Sequence, residues 1–153
     1  MTPAILALGS NVGDRLAHLR LAVQTLQPSA VSRVYETRPV GGPEQGDFLN
    51  AVVLVEADAA VAWERAQAAE RGAGRTREVR WGPRTLDVDV IWACGSVDGL
   101  TLPHPRAHER AFVLAPWLDL QPNAELPGQG PVRELLAGLD GDGVHLCSDL
   151  ELR

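Results

Sequence analysis

Residues 80–90 read Arg80-Trp81-Gly82-Pro83-Arg84-Thr85-Leu86-Asp87-Val88-Asp89-Val90. This stretch joins an arginine-rich turn to a segment in which apolar and acidic residues alternate. Alternation with a period of two predicts a β-strand, because successive side chains of a strand point to opposite faces of the sheet. A strand rises about 3.3 Å per residue, so Asp87 and Asp89 share one face at a separation of about 7 Å. The apolar residues between and around them point to the other face.

Two carboxylates at this spacing suit Mg²⁺, which keeps several waters and takes further oxygen ligands from the phosphates of a nucleotide. The sequence therefore predicts a site for one or two Mg²⁺ ions at Asp87 and Asp89, with Arg84 in reach of the same phosphates. The alternative is a solvated polar face on an edge strand, which D-x-D alone indicates more often than a metal site. A Gly82-Pro83 turn beside Trp81, flanked by arginines, favours the phosphate site.

Outward from this strand, hydrophobic periodicity predicts the order β-α-β-β-α-β for residues 4–92. The predicted strands cover residues 4–8, 31–38, 48–56 and 86–92, and the predicted helices cover residues 16–26 and 58–71. This order is the ferredoxin-like arrangement, an antiparallel sheet with helices packed on it. Asp14 is the predicted N-cap of the first helix. Further along, the pattern predicts strands at 100–102 and 144–146 and helices at 109–118 and 132–139.

Length and charge limit what the chain can be. Its 153 residues fit a single domain, and its net charge is −6 although residues 71–84 hold five arginines against one acid. A local basic patch in an acidic chain fits a small polyanion better than a nucleic-acid duplex. Cys94 and Cys147 lack the spacing of a zinc site or a disulfide framework. Without a signal peptide or a long apolar run, we expect a cytoplasmic protein with reduced cysteines.

The stretch RWGPRTLDVDV resembles, almost letter for letter, the signature R-W-G-P-R-T-[LI]-D-[LV]-D of the 6-hydroxymethyl-7,8-dihydropterin pyrophosphokinases. Other blocks of that family stand in the right order between residues 5 and 122, among them a G-S-N-x-G-D turn at residues 9–14. The resemblance implies an α/β fold with three layers, a ferredoxin-like antiparallel sheet with helices on both faces. It also implies transfer of pyrophosphate from ATP to 6-hydroxymethyl-7,8-dihydropterin, which gives the pterin diphosphate and AMP in folate biosynthesis.

Residues 35–42 and the triplet Phe48-Leu49-Asn50 resemble the pterin-binding segment of the family. The resemblance implies that Phe48 stacks on the pterin and that Asn50 bonds its edge, since an amide offers a donor and an acceptor together. Thr37 and the Val40 backbone would complete recognition of that edge. Phe112, in a block that resembles the family's L-P-H-P-R-x-x-x-R-x-F-V-L, would cover the other face. Taken alone, Asn50 is also typical of a strand-end cap and Phe48 of a core residue.

The block at residues 70–77 resembles the family's E-x-x-x-G-R-x-R. Together the blocks imply ATP contacts from Glu70, Arg75, Arg77, Arg84, His104 and Arg110, and they imply catalytic roles for Arg75, Arg84, Asp87 and Asp89. Arg71 and Arg80 are more typical of a solvated charged face. On a regular helix, residues two apart diverge by about 200°. We therefore expect Arg110 and Phe112 to share a site only if the helix begins after them.

Two other functions remain open from the residues themselves. One is a different Mg²⁺-dependent transferase that uses the same D-x-D pair, and the other is a nucleic-acid-binding module whose arginines meet phosphates. The pterin block counts against the first, and the net charge of −6 with no lysine counts against the second. We expect ATP, the pterin and two Mg²⁺ ions as ligands, no nucleic-acid or membrane partner, and a monomer. No residue is identified as a general base.

Overall fold

The computed structural model describes residues 2–38, 46–73, 85–139 and 143–152. Its strands are β1 Ala4–Ser10, β2 Ala30–Val31, β3 Tyr35–Thr37, β4 Phe48–Val55, β5 Asp87–Trp92, β6 Glu125–Leu126, β7 Gly130–Pro131 and β8 Val144–Leu146. Its helices are α1 Arg15–Leu26, α2 Ala59–Gly72, α3 Ala111–Leu120 and α4 Val132–Ala137, and a short 3-10 helix covers Ala107–Glu109. Within these residues no helix is both long and apolar enough to cross a membrane.

Six strands form one antiparallel sheet in the order β5-β1-β4-β3-β8, with β2 also paired to β4. The first five predicted elements and β5 produce the predicted ferredoxin-like order, and β8 adds one further strand at the β3 edge. The predicted strand at 31–38 is interrupted, because Ser32 bonds Val52 with both its backbone N–H and its hydroxyl. The strand predicted at 100–102 is wrong, since Leu100 forms only an isolated bridge to Val97.

The sheet buries an apolar core on each face, as alternation along its strands requires. Leu6 and Leu8 of β1 point into the first core, which α1 and α2 cover. Ile5 and Ala7 point into the second core, where α3 and α4 pack and Trp117 is almost fully buried. The result is the predicted three-layer α/β/α body, and the orientation of Ala7 assigns its neighbours on β5 to the α3 side.

Local signals explain where the first two helices begin and where α1 ends. Asp14 accepts a hydrogen bond from Ala17 N at 3.1 Å, and Asp58 accepts one from Val61 N at 3.0 Å. Both carboxylates satisfy N–H groups that the first turn leaves without helical partners, and the predicted cap at Asp14 is confirmed. At the other end of α1, Gln27 adopts a left-handed conformation with φ 48° directly before Pro28. Cys94 and Cys147 are both free thiols.

A polar network of Arg33, Tyr35 and Asp119 ties the sheet to α3. Tyr35 Oη lies 3.0 Å from both carboxylate oxygens of Asp119, and Arg33 donates to the same carboxylate from Nη2 at 2.8 Å and Nε at 3.1 Å. Burial and the hydrogen bond to Asp119 raise the pKa of Tyr35 above its usual 10.0. The phenol therefore remains protonated in the folded protein at pH values where the unfolded chain ionises.

Replacing Tyr35 by phenylalanine tests this network. We expect the free energy of unfolding to fall by about 1–2 kcal/mol near neutral pH, because a hydrogen bond to a charged group is lost from a buried site. A raised folded-state pKa gives a contribution that is complete below pH 10 and declines as the pH rises through that pKa. Urea denaturation of both proteins across this range should show the difference shrinking. A constant difference would contradict the linkage, and tyrosinate absorbance reports the pKa directly, since the chain has one tyrosine.

Candidate active site

Asp87 and Asp89 lie on β5, the edge strand beside β1, as the alternating pattern predicts. Asp87 pairs with Gly9 and Asp89 with Ala7, which belongs to the core under α3. Both carboxylates therefore occupy the α3 side of the sheet, and the Asp89 side chain is 42% exposed. Among the described residues, no three histidine, cysteine or acidic side chains form a metal cage. Two accessible carboxylates fit an ion that takes its other ligands from water and phosphates.

A row of paired residues crosses the sheet from Asp87 to the predicted pterin segment. Asp87 pairs with Gly9, Gly9 with Asn50, and Asn50 with Tyr35. A Cβ atom on Gly9 would lie 3.2 Å from Asn50 Oδ1 and 3.5 Å from Phe48 Cδ1. The glycine thus leaves space on the sheet between the carboxylates and the two pterin candidates, which a larger residue would fill.

Asn50 and Thr37 form a buried pair at the ends of β4 and β3. Asn50 Nδ2 donates to Thr37 Oγ1 at 2.7 Å, which fixes the orientation of the amide. The half-buried Phe48 pairs with Thr37 in the sheet register. Three of the predicted pterin residues therefore adjoin one another, and their amide, hydroxyl and ring are the group types that a flat heterocycle with polar edges requires.

His104, Arg110 and Phe112 gather beside Asp89 from the other side of the site. Arg110 Nη1 lies 3.6 Å from Asp89 Oδ2, and the guanidinium carbon lies 5.6 Å from the centre of the Phe112 ring, a cation–π distance. His104 N donates to Ile91 O at 2.9 Å, which holds this segment against β5. A carboxylate, an imidazole, a guanidinium and an aromatic ring thus meet at one edge of the sheet.

The start of α3 explains how Arg110 and Phe112 come together. The helix begins at Ala111, and Arg110 before it is extended, with φ −112° and ψ 96°. From helix geometry we expected the two side chains to meet only if the helix began after both residues. The helix instead begins between them, at Ala111, and the two side chains still meet. An extended Arg110 can turn back over the ring of Phe112 in the first helical turn.

His104 is prepared as a neutral hydrogen-bond donor. Burial lowers its pKa below the usual 6.5; Asp89 opposes this shift, whereas Arg110 and Arg106 add to it. Arg106 N donates to His104 Nδ1 at 3.2 Å. A neutral imidazole whose Nδ1 accepts carries its proton on Nε2. That N–H can donate to an anionic oxygen. Sequence reasoning missed Arg106 as a contributor, although it belongs to the L-P-H-P-R block.

Comparison with known proteins identifies the family. Residues 5–122 match the family model 7,8-dihydro-6-hydroxymethylpterin-pyrophosphokinase, abbreviated HPPK. The chain belongs to the HPPK family. It is therefore an enzyme, a pyrophosphokinase that uses ATP to transfer pyrophosphate to hydroxymethyldihydropterin in folate biosynthesis. The family predicted from the sequence is confirmed.

Relatives from three bacteria carry the name 2-amino-4-hydroxy-6-hydroxymethyldihydropteridine pyrophosphokinase. The Mycobacterium leprae protein is 51% identical and the alignment covers 97% of this chain and 90% of that protein. The Mycobacterium tuberculosis protein is 47% identical, with 95% and 90% covered, and the Bacillus subtilis protein is 44% identical, with 94% and 89% covered. A crystal structure of Plasmodium falciparum HPPK-DHPS shares the fold at a TM-score of 0.65 and 14% identity; 90% of this chain and 43% of that longer chain are covered.

Four of the predicted HPPK site residues lie outside the described residues. They are Val40, Arg75, Arg77 and Arg84. Apart from Glu70, the described members of the predicted set form two groups: Asp87, Asp89, His104, Arg110 and Phe112 in one, and Thr37, Phe48 and Asn50 in the other. Gly9 connects the two groups in the sheet register. The sequence indicates Gly9 only as a member of the G-S-N-x-G-D turn, because its position depends on pairing with two distant strands.

Glu70 lies on α2, apart from His104 and Arg110, the other predicted ATP ligands that the structure describes. It is buried at 8% exposure near the end of α2, and its Oε2 accepts a hydrogen bond from Val88 N at 2.9 Å. Val88 lies between the two aspartates on the edge strand. This geometry fits a structural role, in which Glu70 satisfies the outer N–H of β5 and fixes the strand that carries both carboxylates. Glu70 thus supports β5 in this structure, and its predicted contact with ATP stays a prediction.

Glu70→Ala and Glu70→Gln separate these two roles. We expect alanine to lower the free energy of unfolding by about 1–3 kcal/mol, because it leaves the buried Val88 N–H without this acceptor. Glutamine keeps an acceptor oxygen and should lose less than half as much. Thermal denaturation and the KM for ATP are measured on both variants. A rise in the KM for ATP with unchanged stability would instead support the predicted direct contact between Glu70 and ATP.

Proposed function

We propose that the family reaction takes place where β5 meets the start of α3. The hydroxymethyl oxygen of 6-hydroxymethyl-7,8-dihydropterin attacks the β-phosphorus of ATP, the bond between that phosphorus and the α,β-bridging oxygen breaks, and AMP leaves. The hydroxyl proton passes to solvent water, and no residue of the chain is proposed as a general base. The observation that carries this proposal is the meeting of Asp89, His104, Arg110 and Phe112 beside the sheet row that contains Asn50.

Asp87 and Asp89 are the residues proposed to hold two Mg²⁺ ions. Their support is the shared face, the partial exposure and the hard oxygen donors, which match the preference of Mg²⁺ for carboxylates, water and phosphates. Bound there, the ions would neutralise phosphate oxygens during transfer. Arg110, which contacts Asp89 at 3.6 Å, is then available to a phosphate.

Cationic groups and N–H donors of the chain are proposed to stabilise the remaining negative charge on the transferred group. His104 would donate from Nε2 and Arg110 from its guanidinium, as preorganised donors that stabilise charge developing in the transition state. Arg75, Arg77 and Arg84 are proposed ATP contacts from the family blocks, with Arg75 and Arg84 at the transferring group.

Pterin recognition is assigned to the Thr37, Phe48 and Asn50 group together with Phe112 and the Val40 backbone. Phe48 and Phe112 would enclose the flat ring from two sides, and Asn50 and Thr37 would bond its edge. Such enclosure aims the hydroxymethyl group at the phosphates, and orientation of this kind supplies much of the rate in phosphoryl transfer.

The whole chain is proposed to be one pyrophosphokinase domain, residues 1–153, that acts as a monomer in the cytoplasm, where ATP is available.

Product analysis tests the reaction itself. Phosphorus NMR of a mixture of enzyme, ATP, Mg²⁺ and the pterin should show AMP and a diphosphate ester appearing together. Appearance of ADP with a monophosphate ester would instead indicate an ordinary kinase, and unchanged ATP would contradict the proposal.

A further inference from the structure

Arg15, the first residue of α1, joins two segments that are distant in sequence. Its Nη1 lies 2.7 Å from Glu36 Oε2 on β3 and donates at 2.9 Å to the carbonyl oxygen of Asp47, just before β4. The arginine begins the helix directly after its N-cap Asp14, so the cap fixes the backbone from which this side chain extends. One guanidinium nitrogen therefore bridges the end of one strand and the beginning of the next.

The two bridged residues stand immediately before pterin candidates. Glu36 precedes Thr37, Asp47 precedes Phe48, and Thr37 and Phe48 are partners in the sheet. The Thr37–Asn50 hydrogen bond lies one step further along the same pair of strands. Arg15 therefore contacts both of the residues that directly precede the Thr37 hydroxyl and the Phe48 ring.

A second contact, from the turn that precedes Arg15, also holds the segment before β4. Asn11 Nδ2 donates to the carbonyl oxygen of Gly46 at 3.0 Å, one residue before the carbonyl that Arg15 bonds. The G-S-N-x-G-D turn and the residue after it thus hold two successive carbonyls of the segment leading into β4. From the residues alone, this turn was predicted only to connect a strand to a helix.

We propose that Arg15 is a positioning residue for pterin recognition, acting through Glu36 and Asp47 on Thr37, Phe48 and Asn50. This role rests on the proposed function of those three residues. The ion pair itself is partly exposed, with side chains 33% and 38% accessible, and pairs of this kind contribute little to stability. Its effect should therefore appear in substrate affinity and not in the unfolding transition.

A surface ion pair that merely stabilises α1 is the competing explanation, and Arg20 provides a matched control. Arg20 lies on the same helix, is exposed, and donates from Nε and Nη2 to the carbonyl oxygen of Glu151. Arg20→Gln removes an arginine–carbonyl contact of similar kind away from residues 36 and 47. Arg15→Gln removes the bridge, and Glu36→Gln removes the charge of its partner while retaining an acceptor oxygen.

The experiment measures kcat, KM for each substrate, calorimetric pterin affinity and melting temperature for the four proteins. We expect Arg15→Gln to raise the pterin KM and Kd about 5- to 20-fold, since small misplacements of substrate-positioning groups can cost up to about a hundredfold. kcat, ATP affinity and melting temperature should match those of Arg20→Gln. Glu36→Gln should lie between wild type and Arg15→Gln.

Equal pterin affinity in Arg15→Gln and Arg20→Gln would overturn the positioning role. A fall in melting temperature with a parallel loss of affinity for both substrates would also overturn it, in favour of a purely structural contact. If wild-type protein itself failed to bind the pterin, the proposed function and the role of Arg15 would both be wrong. The wild-type measurement therefore separates the two failures.

Discussion

Replacing Asp89 by asparagine should lower kcat by on the order of 10³-fold, the scale seen when a group that stabilises transition-state charge is removed. Asparagine keeps the size of the side chain and removes the anionic oxygen that a divalent cation requires. Asp89 is partly exposed and its burial contributes little to the core, so the fold should be retained. Far-UV circular dichroism and melting temperature should match those of wild type.

The control for this variant is Asp98→Asn. Asp98 is exposed, and its neighbours Val97 and Leu100 pack against the opposite core from Asp89. The Asp98→Asn variant should turn over at the wild-type rate. Asp87→Asn should lower kcat as Asp89→Asn does, and added Mg²⁺ should raise the activity of both variants. Near wild-type turnover by both variants at low Mg²⁺ would show that the carboxylates do not hold the metal.

Removal of either proposed stacking ring should weaken pterin binding by about 1–3 kcal/mol, which corresponds to about 5- to 150-fold in Kd. The chain contains two phenylalanines, and both belong to the proposed pterin site. Phe48→Ala deletes the ring on the sheet side and Phe112→Ala the ring at the start of α3. Affinity for ATP should change less, because neither ring is proposed to contact the phosphates.

Calorimetric titration with the pterin measures both losses, and ring-preserving variants provide the control. Phe48→Tyr and Phe112→Tyr retain the stacking surface and should remain within about threefold of wild type, since only a hydroxyl is added. Phe112 also packs against the second core, so the melting temperature of Phe112→Ala must be measured alongside. Unchanged pterin affinity in both alanine variants would falsify the enclosure of the ring.

Much of the fold is predictable because its signals are local. The apolar run of β1, the β-branched residues of β4 and the alternation of β5 lie within short windows of sequence. The helical spacing of α1 and the alanine content of α2 are equally local, and the Asp14 cap is one residue before its helix. The interruption after Val31 is not local. The Ser32 hydroxyl replaces a regular backbone contact by accepting from Val52 N, twenty residues away in sequence. The hydrophobic periodicity of residues 31–38 cannot predict such a long-range bond.

The candidate site divides in the same way. Asp87 and Asp89 follow from strand periodicity, because the two carboxylates and their shared face lie in one short segment. The supporting role of Glu70 depends on how α2 docks against the edge strand, and the role of Gly9 depends on two separate pairings. The contact of Arg110 with Phe112 depends on one helix boundary, and boundaries are set by details of one or two residues.

The most direct measurement is AMP release by the purified wild-type protein with ATP and Mg²⁺, made with and without 6-hydroxymethyl-7,8-dihydropterin and repeated with Asp89→Asn. We predict that wild type releases AMP only when the pterin is present, in equal amount to the pterin diphosphate formed. Asp89→Asn should release AMP on the order of 10³-fold more slowly. AMP release that is independent of the pterin, or that is equal in the two proteins, would contradict pyrophosphate transfer at this site.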